Sequence, residues 1–354
     1  MLEQRQHPLT GQWIVIASDR SGRPNDFLRP NPLDASTVDG QLKVDAAVRS
    51  SCPFCCGNEA ETPTAILQVD AAGNKIGRFD SNWQIRSVPN RFPAFLPDAA
   101  MPEVDANAGN LESELFIRQP PVGSHDVIIE SPNHLQSPTE LSVAELSGVL
   151  NFYRRRLADL AADGRWQFAQ LFKNRGRLAG ASLEHIHSQC VALPTTPDWV
   201  RHKLAGAERW FHSHGKCYFC QSVEAELTSQ IRIISQSQNF VAFCPFASRC
   251  AYETWIVPKL HQCHFADYTD FAGGELAGLL RQVLRSLEDT QKTPAYNLTI
   301  QTSPFDINQK DYYHWHIEII PRISTLAGFE WGTGVFINTK APEDAAAELR
   351  SQAG

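Results

Sequence analysis

The apolar residues of this chain fall into two helical stripes, each flanked by short runs of strand character. Val143, Leu146, Val149, Leu150, Tyr153, Leu157 and Leu160 recur at the spacing of one helix face. Ser142 and Glu145 ahead of them form a capping-box pattern, in which a hydroxyl and a carboxylate satisfy free N–H groups at a helix start. A second stripe carries Leu276, Leu279, Leu280, Val283, Leu284 and Leu287. Apolar runs predict strands at 127–130, 166–172 and 186–193 around the first stripe, and at 254–257, 296–301 and 315–320 around the second. A strand–helix–strand–strand order used twice predicts an α+β fold, tandemly duplicated, with antiparallel or mixed sheets and helices packed on one face. The division falls near residue 194, giving units of 1–194 and 195–354. The charged, His-rich stretch 194–216 reads as the linker between them.

Polar landmarks repeat with the same register. The first half holds Cys52 and Cys55, then His134, then His185 and His187; the second holds Cys217 and Cys220, then His261, then His314 and His316. His134 and His185 are 51 residues apart, and His261 and His314 are 53 apart. The Cys-to-His spacing is longer in the first half, and the Pro- and Ala-rich stretch 97–109 is the natural place for an insertion. Two Cys2His2 sets follow: Cys52, Cys55, His134 and His185, and Cys217, Cys220, His261 and His314. Zinc takes four such ligands as a tetrahedron in closed, structural sites. With all four positions filled by protein, no metal-bound water is expected. Cys56 and His264 lie near these sets without belonging to them. Cys190, Cys244, Cys250 and Cys263 read as core thiols. His125, His202, His212 and His214 read as structural or surface residues, and Arg154, Arg155 and Arg156 as a partly solvated helix face.

In a strand, residues i and i+2 share a face. His185 can therefore hold a metal while His187 presents a reactive imidazole beside it. A neutral imidazole can attack phosphorus and split a transfer into two displacements. Gln189, on the same face, can place its amide beside the same phosphate. Ser182, Asn174 and Gly176 can add polar contacts from the preceding loop. His316 is followed at the matching position by Glu318, whose carboxylate would repel phosphate, so the second half reads as a degenerate copy with a structural task.

The bulk numbers exclude several classes. A net charge of −7 disfavours broad contact with nucleic acid, and the Cys/His spacing is too long for a nucleic-acid zinc finger. No run of about 18 apolar residues predicts a membrane span, and the N-terminus has no apolar segment of signal-peptide type. An odd count of nine cysteines favours thiols and metal ligands over a disulfide framework, which fits a cytoplasmic protein.

These motifs together resemble the histidine-triad superfamily, and within it the galactose-1-phosphate uridylyltransferase family. The resemblance runs through His7-Pro-Leu-Thr-Gly-Gln-Trp13, Asp19-Arg20-Ser-Gly-Arg23-Pro24, Cys52-Pro-Phe-Cys55, Val88-Pro-Asn90-Arg91-Phe92-Pro93, Ser131-Pro-Asn-His134 and Gly180-Ala-Ser182-Leu-Glu-His185-Ile-His187-Ser-Gln189. It implies a duplicated HIT-like fold, two zinc ions and a ping-pong transfer of UMP from a UDP-hexose to a hexose 1-phosphate. In that scheme His187 is the nucleophile and Gln189 holds the phosphate. Asn90 would touch the nucleotide. Arg20 and Arg23 would bind phosphate, in the partner's site of a homodimer. Phe329, Glu330, Gly332 and Gly334 would approach the sugar. The substrates implied are a nucleotide sugar and a sugar phosphate. Family members carry Cys and Pro where this chain has Ala181 and Ile186, and often Asp where it has Arg91. Ser188-Gln189, the tail Gly328–Gly334 and the second Cys pair are closer to plant-type relatives that act as ADP-sugar phosphorylases or adenylyltransferases. That activity is the alternative reading, with a nucleotide hydrolase of the wider superfamily behind it. A zinc-stabilised binding protein without catalysis is the remaining class.

Overall fold

A computed structural model describes residues 2–18, 51–99, 115, 119–269, 273–305 and 311–352. Its strands are β1 (Leu2–Gln6), β2 (Trp13–Ala17), β3 (Leu67–Val69), β4 (Ile85–Pro89), β5 (Ser124–Ile129), β6 (Phe168–Arg175), β7 (His187–Leu193), β8 (Ile233–Gln236), β9 (Phe240–Phe243), β10 (Thr254–Pro258), β11 (Tyr296–Gln301), β12 (His316–Pro321) and β13 (Phe336–Asn338). The helices are α1 (Val143–Asp163), α2 (Asp198–His214), α3 (Tyr218–Ser229), α4 (Glu275–Gln291), α5 (Gly328–Thr333) and α6 (Pro342–Ser351).

Ten strands form one sheet in the order β3-β4-β5-β7-β6-β11-β12-β10-β9-β8, with every pairing antiparallel. The order is a palindrome. Each half supplies five strands, and the halves join where β6 pairs with β11. His187 on β7 and His316 on β12 thus occupy equivalent places. A small sheet of β1, β2 and β13 ties the N-terminus to the C-terminal tail. No helix among the described residues is long and apolar enough to cross a membrane.

The α+β expectation holds, and the predicted strands and helices lie within a few residues of the observed ones. Ser142 caps α1 through the reciprocal pair with Glu145. Strand alternation then sorts the core into layers. Ile128, Leu171, Ala192, Ile256, Ile300 and Ile317 face α1 and α4 in the main core. Phe243, Trp255 and Val257 face the other way, against Leu204 and Ala207 of α2 and Phe219 and Val223 of α3. The stretch expected to be a linker is therefore mostly the helix α2, which packs on the sheet face opposite α1 and α4. Arg156 also departs from expectation. It is buried, and its guanidinium holds Asp126 at 2.6 Å. Residues 100–109 of the expected insertion lie outside the described residues.

Helix α2 and the N-terminal turn close over the second half. The Leu9 carbonyl approaches Gly206 so closely that a Cβ there would stand 1.9 Å away. Below this lid His316 lies against the rings of Phe219 at 4.7 Å and Trp255 at 4.9 Å. Its Nε2 faces Glu318, which is ion-paired to Lys203 of α2 at 3.2 Å and Arg249 at 2.8 Å. Burial opposes the Glu318 charge, yet Lys203 and Arg249 hold its carboxyl well below the usual range. His7 sits over the same cluster, its Nδ1 accepting from the N–H groups of Leu9 and Thr10. Burial, then the charges of Lys203 and Arg249, push its pKa down to about 4.

Two predictions follow from this closure. Gly206→Ala has no room and should lose about 1–3 kcal/mol of stability. Gly278→Ala on α4 meets nothing within 4 Å and should gain up to about 1 kcal/mol; thermal melts of the two variants compare them. The second concerns pH. Between about 6.5 and about 4, the unfolded chain binds a proton at His7 that the folded chain refuses. Stability therefore falls as pH drops through that window. His7→Asn should flatten the loss in urea melts taken at pH 7 and pH 5.

Candidate active site and metal centres

The first Cys/His set converges on one point. Cys52 and Cys55 come from the loop before β3, His134 from the turn after β5 and His185 from the entry to β7, and all four are buried. His185 Nδ1 lies 3.6 Å from both sulfurs, and His134 Nδ1 lies 3.5 Å from Cys55 Sγ. Metal arms of about 2.3 Å to sulfur and about 2.1 Å to nitrogen at the tetrahedral angle give edges of about 3.6 Å, so this set fits a zinc-sized ion. His185 Nε2 donates to the Ser131 carbonyl at 2.9 Å, which aims Nδ1 at the thiols.

The second set, Cys217, Cys220, His261 and His314, also gathers its donor atoms within 4.8 Å of one another. Cys220 Sγ is 3.2 Å from His261 Nδ1 and 3.6 Å from His314 Nδ1. The two thiols are coupled: the hydrogen bond between them favours ionisation of Cys217 and opposes that of Cys220. This set is more open: His261 is exposed and Cys220 half-buried. Among the described residues, His314 Nε2 is buried without the carbonyl partner that His185 has.

His187 is buried on the same sheet face as the first set, with the Phe54 ring at 5.2 Å. Its Nδ1 donates to the His185 carbonyl at 2.8 Å, leaving the Nε2 lone pair to meet a substrate. Burial, with the nearby Lys173 charge, holds its pKa below the ordinary value. The imidazole is therefore neutral near pH 7. Behind the strand, Lys173 Nζ pairs with Glu130 at 2.7 Å and donates to the His187 carbonyl at 2.8 Å. Ser188 and Tyr153 complete the coordination of Glu130.

Gln189 shares the His187 face, as expected. Its Oε1 accepts from His125 Nε2 at 2.8 Å, because the Ala94 N–H occupies His125 Nδ1 at 3.1 Å. The Gln189 NH2 group is thereby left to donate. Asn90 lies against the same ring nitrogen, its Nδ2 at 3.1 Å, a contact between two donor groups rather than a hydrogen bond. Residues 90, 125 and 189 thus form one cluster. His125, read from sequence as structural, is the residue that orients Gln189. The signal was its alternation with Val127 and Ile129, which face the same way beside Gln189 and His187.

A cleft of about 490 Å³ opens beside His187 and is lined also by Lys173, Asn174, Gly176, Arg177, Glu184 and Lys292. Asn174 and Gly176 therefore join the site. Gly176 has φ +79°, and a Cβ there would stand 2.9 Å from Ala295, so both backbone and space require glycine. Ser182 is exposed on the loop, and its hydroxyl makes no hydrogen bond among the described residues. Phe329, Glu330, Gly332 and Gly334 lie on or just after α5, where the Gly334 carbonyl accepts from Gln12 at 2.7 Å. No hydrogen bond joins them to His187, Gln189 or Asn90 among the described residues. Arg20 and Arg23 lie outside the described residues. His202, His212 and His214 lie on α2 and belong to neither Cys/His set. Cys190, Cys244 and Cys263 are core thiols, Cys250 is half-buried, and Cys56 is exposed beside the first cluster.

A neutral histidine on a duplicated α+β sheet, set against a Cys2His2 cluster and flanked by amide donors, is the equipment of an enzyme that handles phosphoryl groups. Comparison with known proteins agrees. The family model described as galactose-1-phosphate uridyl transferase, N-terminal domain, matches residues 1–197, and one described as a domain of unknown function matches 119–352. ADP-glucose phosphorylase of Arabidopsis thaliana is 33% identical over 98% of this chain and 92% of its own. Galactose-1-phosphate uridylyltransferase of Thermotoga maritima is 25% identical over 99% of this chain and 98% of its own. The crystal structure of the Arabidopsis thaliana ADP-glucose phosphorylase with bound ADP-glucose superposes with a TM-score of 0.80 at 32% identity, covering 99% of each chain. The chain belongs to the galactose-1-phosphate uridyl transferase family. It is an enzyme of the transferase class, among relatives that carry out nucleotidyl transfer.

The two clusters should part with metal in order. A chelator is expected to remove one ion quickly and one slowly from each chain. Cys220→Ser should abolish the fast phase and Cys55→Ser the slow one, followed by metal release to a chromogenic indicator. The reverse assignment would overturn the ranking by burial and by the His185–Ser131 bond.

Proposed function

We propose that the enzyme transfers a nucleoside monophosphate, with His187 carrying it between donor and acceptor. The observation that carries this reading is the His187–His185 hydrogen bond, which makes Nε2 the free, neutral nucleophile. In the first step Nε2 attacks the α-phosphorus of a nucleotide sugar. The bridging P–O bond breaks and the sugar 1-phosphate leaves with the electron pair. In the second step an oxygen of the acceptor phosphate attacks the same phosphorus, the P–N bond breaks and the imidazole is restored. Gln189, oriented by His125, and Asn174 supply N–H donors to the phosphoryl oxygens as charge builds on them. Asn90 lies at the nucleotide end of this cluster. A metal ion held by Cys52, Cys55, His134 and His185 would supply rigidity, fixing the start of β7 and hence the aim of His187. Arg20 and Arg23 would add phosphate contacts across a homodimer, and the tail residues Phe329, Glu330, Gly332 and Gly334 would meet the sugar.

For the nucleotide we favour AMP, moved from an ADP-sugar to phosphate. The support is the higher identity to the ADP-glucose phosphorylase, 33% against 25%, joined by Ser188-Gln189, the tail Gly328–Gly334 and the second Cys pair. UMP transfer from a UDP-hexose to a hexose 1-phosphate is the second reading, supported by the match to the uridyl transferase family over residues 1–197.

Intact-protein mass spectrometry tests both. Incubated with ADP-glucose and no acceptor, the protein should gain the mass of AMP, and His187→Asn should gain nothing. A UMP adduct from UDP-glucose alone would select the second reading. No adduct from either, in folded and metal-loaded protein, would remove the covalent mechanism.

A further inference from the structure

Asn297 belongs to the second half, on β11, and pairs in register with Asn174 on β6. Its side chain is oriented from both ends. Arg322 Nε donates to Asn297 Oδ1 at 2.6 Å, and an arginine can only donate. Asn297 Nδ2 donates to the Ala179 carbonyl at 2.8 Å, and a carbonyl can only accept. The same NH2 group donates to Asn174 Oδ1 at 2.8 Å. No flip of the Asn297 amide is compatible with these partners. The Asn174 amide is fixed in turn: its oxygen is held by Asn297, so its NH2 group is the part left to donate at the cleft beside His187.

Asn297 also holds the loop that follows. Ala179 sits in the short helical turn Arg177–Ala179, between Gly176 and Gly180, and this turn leads to His185 and His187. Ala295, two residues before Asn297, supplies the surface against which Gly176 packs. One side chain of the second half thus ties both the Asn174 amide and the Gly176–Gly180 turn.

We propose that Asn297, aligned by Arg322, is a positioning residue for the reaction at His187: it turns the Asn174 NH2 group toward the α-phosphate of the nucleotide sugar. This gives the second half, whose own histidine is sealed, a direct part in the first half's chemistry. The inference rests on the reading of Asn174 as a phosphate donor.

The test is a double-mutant cycle on metal-loaded, full-length protein, read by calorimetric binding of ADP-glucose to variants in the His187→Asn background, where no adduct forms. Asn297→Ala should weaken binding about 10-fold, the scale of losing an orienting partner. Asn174→Ala should weaken it at least as much. The double variant should lose clearly less than the product of the two single losses, because Asn297 acts mainly through Asn174. A merely structural role would instead make the two losses multiply. Asn297→Asp, which keeps the Arg322 contact, serves if Asn297→Ala melts early; it should also weaken binding. Unchanged affinity in the Asn297 variants, or losses that multiply, would overturn the proposal. Failure of the covalent mechanism would show separately, as a missing adduct in protein with His187 intact that still binds the nucleotide sugar.

Discussion

The hydrogen bond from His187 Nδ1 to the His185 carbonyl joins the two tasks of one strand. His185 spends its side chain on the metal cluster and its backbone oxygen on its neighbour's tautomer. Because the two residues alternate by two, their rings share a face, and one rigid element serves anchor and nucleophile together. The proton on Nδ1 determines that Nε2 is the basic nitrogen. Burial then keeps that nitrogen uncharged without a carboxylate partner. Everything placed around it, from the Gln189 amide to the Lys173 ammonium behind the strand, acts on an imidazole already in its reactive form.

The two halves show how one scaffold yields opposite outcomes. Both present a His-x-His strand, a Cys-x-x-Cys loop and an aromatic ring against the second histidine, Phe54 in one and Phe219 in the other. In the first half the i+2 residue is Gln189, and an open cleft lies beside the ring. In the second it is Glu318, whose charge recruits Lys203 from α2 and Arg249 from the loop before β10. Those cations pull a lid over His316, and Leu9 fills the remaining space. The amide at one position and the carboxylate at its equivalent thus sit in pockets of opposite character, one open beside its histidine and one closed by cations and apolar side chains.

Much of this was legible because the signals were local or periodic. The Cys and His spacings, the Ser142 cap and the alternation of His185, His187 and Gln189 needed only the chain order. What escaped depended on register between distant strands. His125 carries no motif, and its value comes from lying diagonally across from Gln189. Asn297 is invisible until β11 is laid beside β6. Arg156 sits in a run of three arginines, and only its placement above Asp126 marks it as buried. Helix α2 was hidden by composition: its apolar face, with Leu204 and Ala207, is narrow, and charged residues and histidines dominate the rest.

The ion pair behind the reactive strand has a consequence for ancestry. Lys173 and Glu130 are both almost completely enclosed, and each is the other's principal counter-charge. Removing either alone strands a charge in the interior, at a cost of about 3–5 kcal/mol, whereas a well-packed neutral pair could be no worse than the original. The two positions are therefore free to differ between lineages only as a couple. A single substitution at either position passes through a less stable intermediate, so the pair changes most readily as a unit.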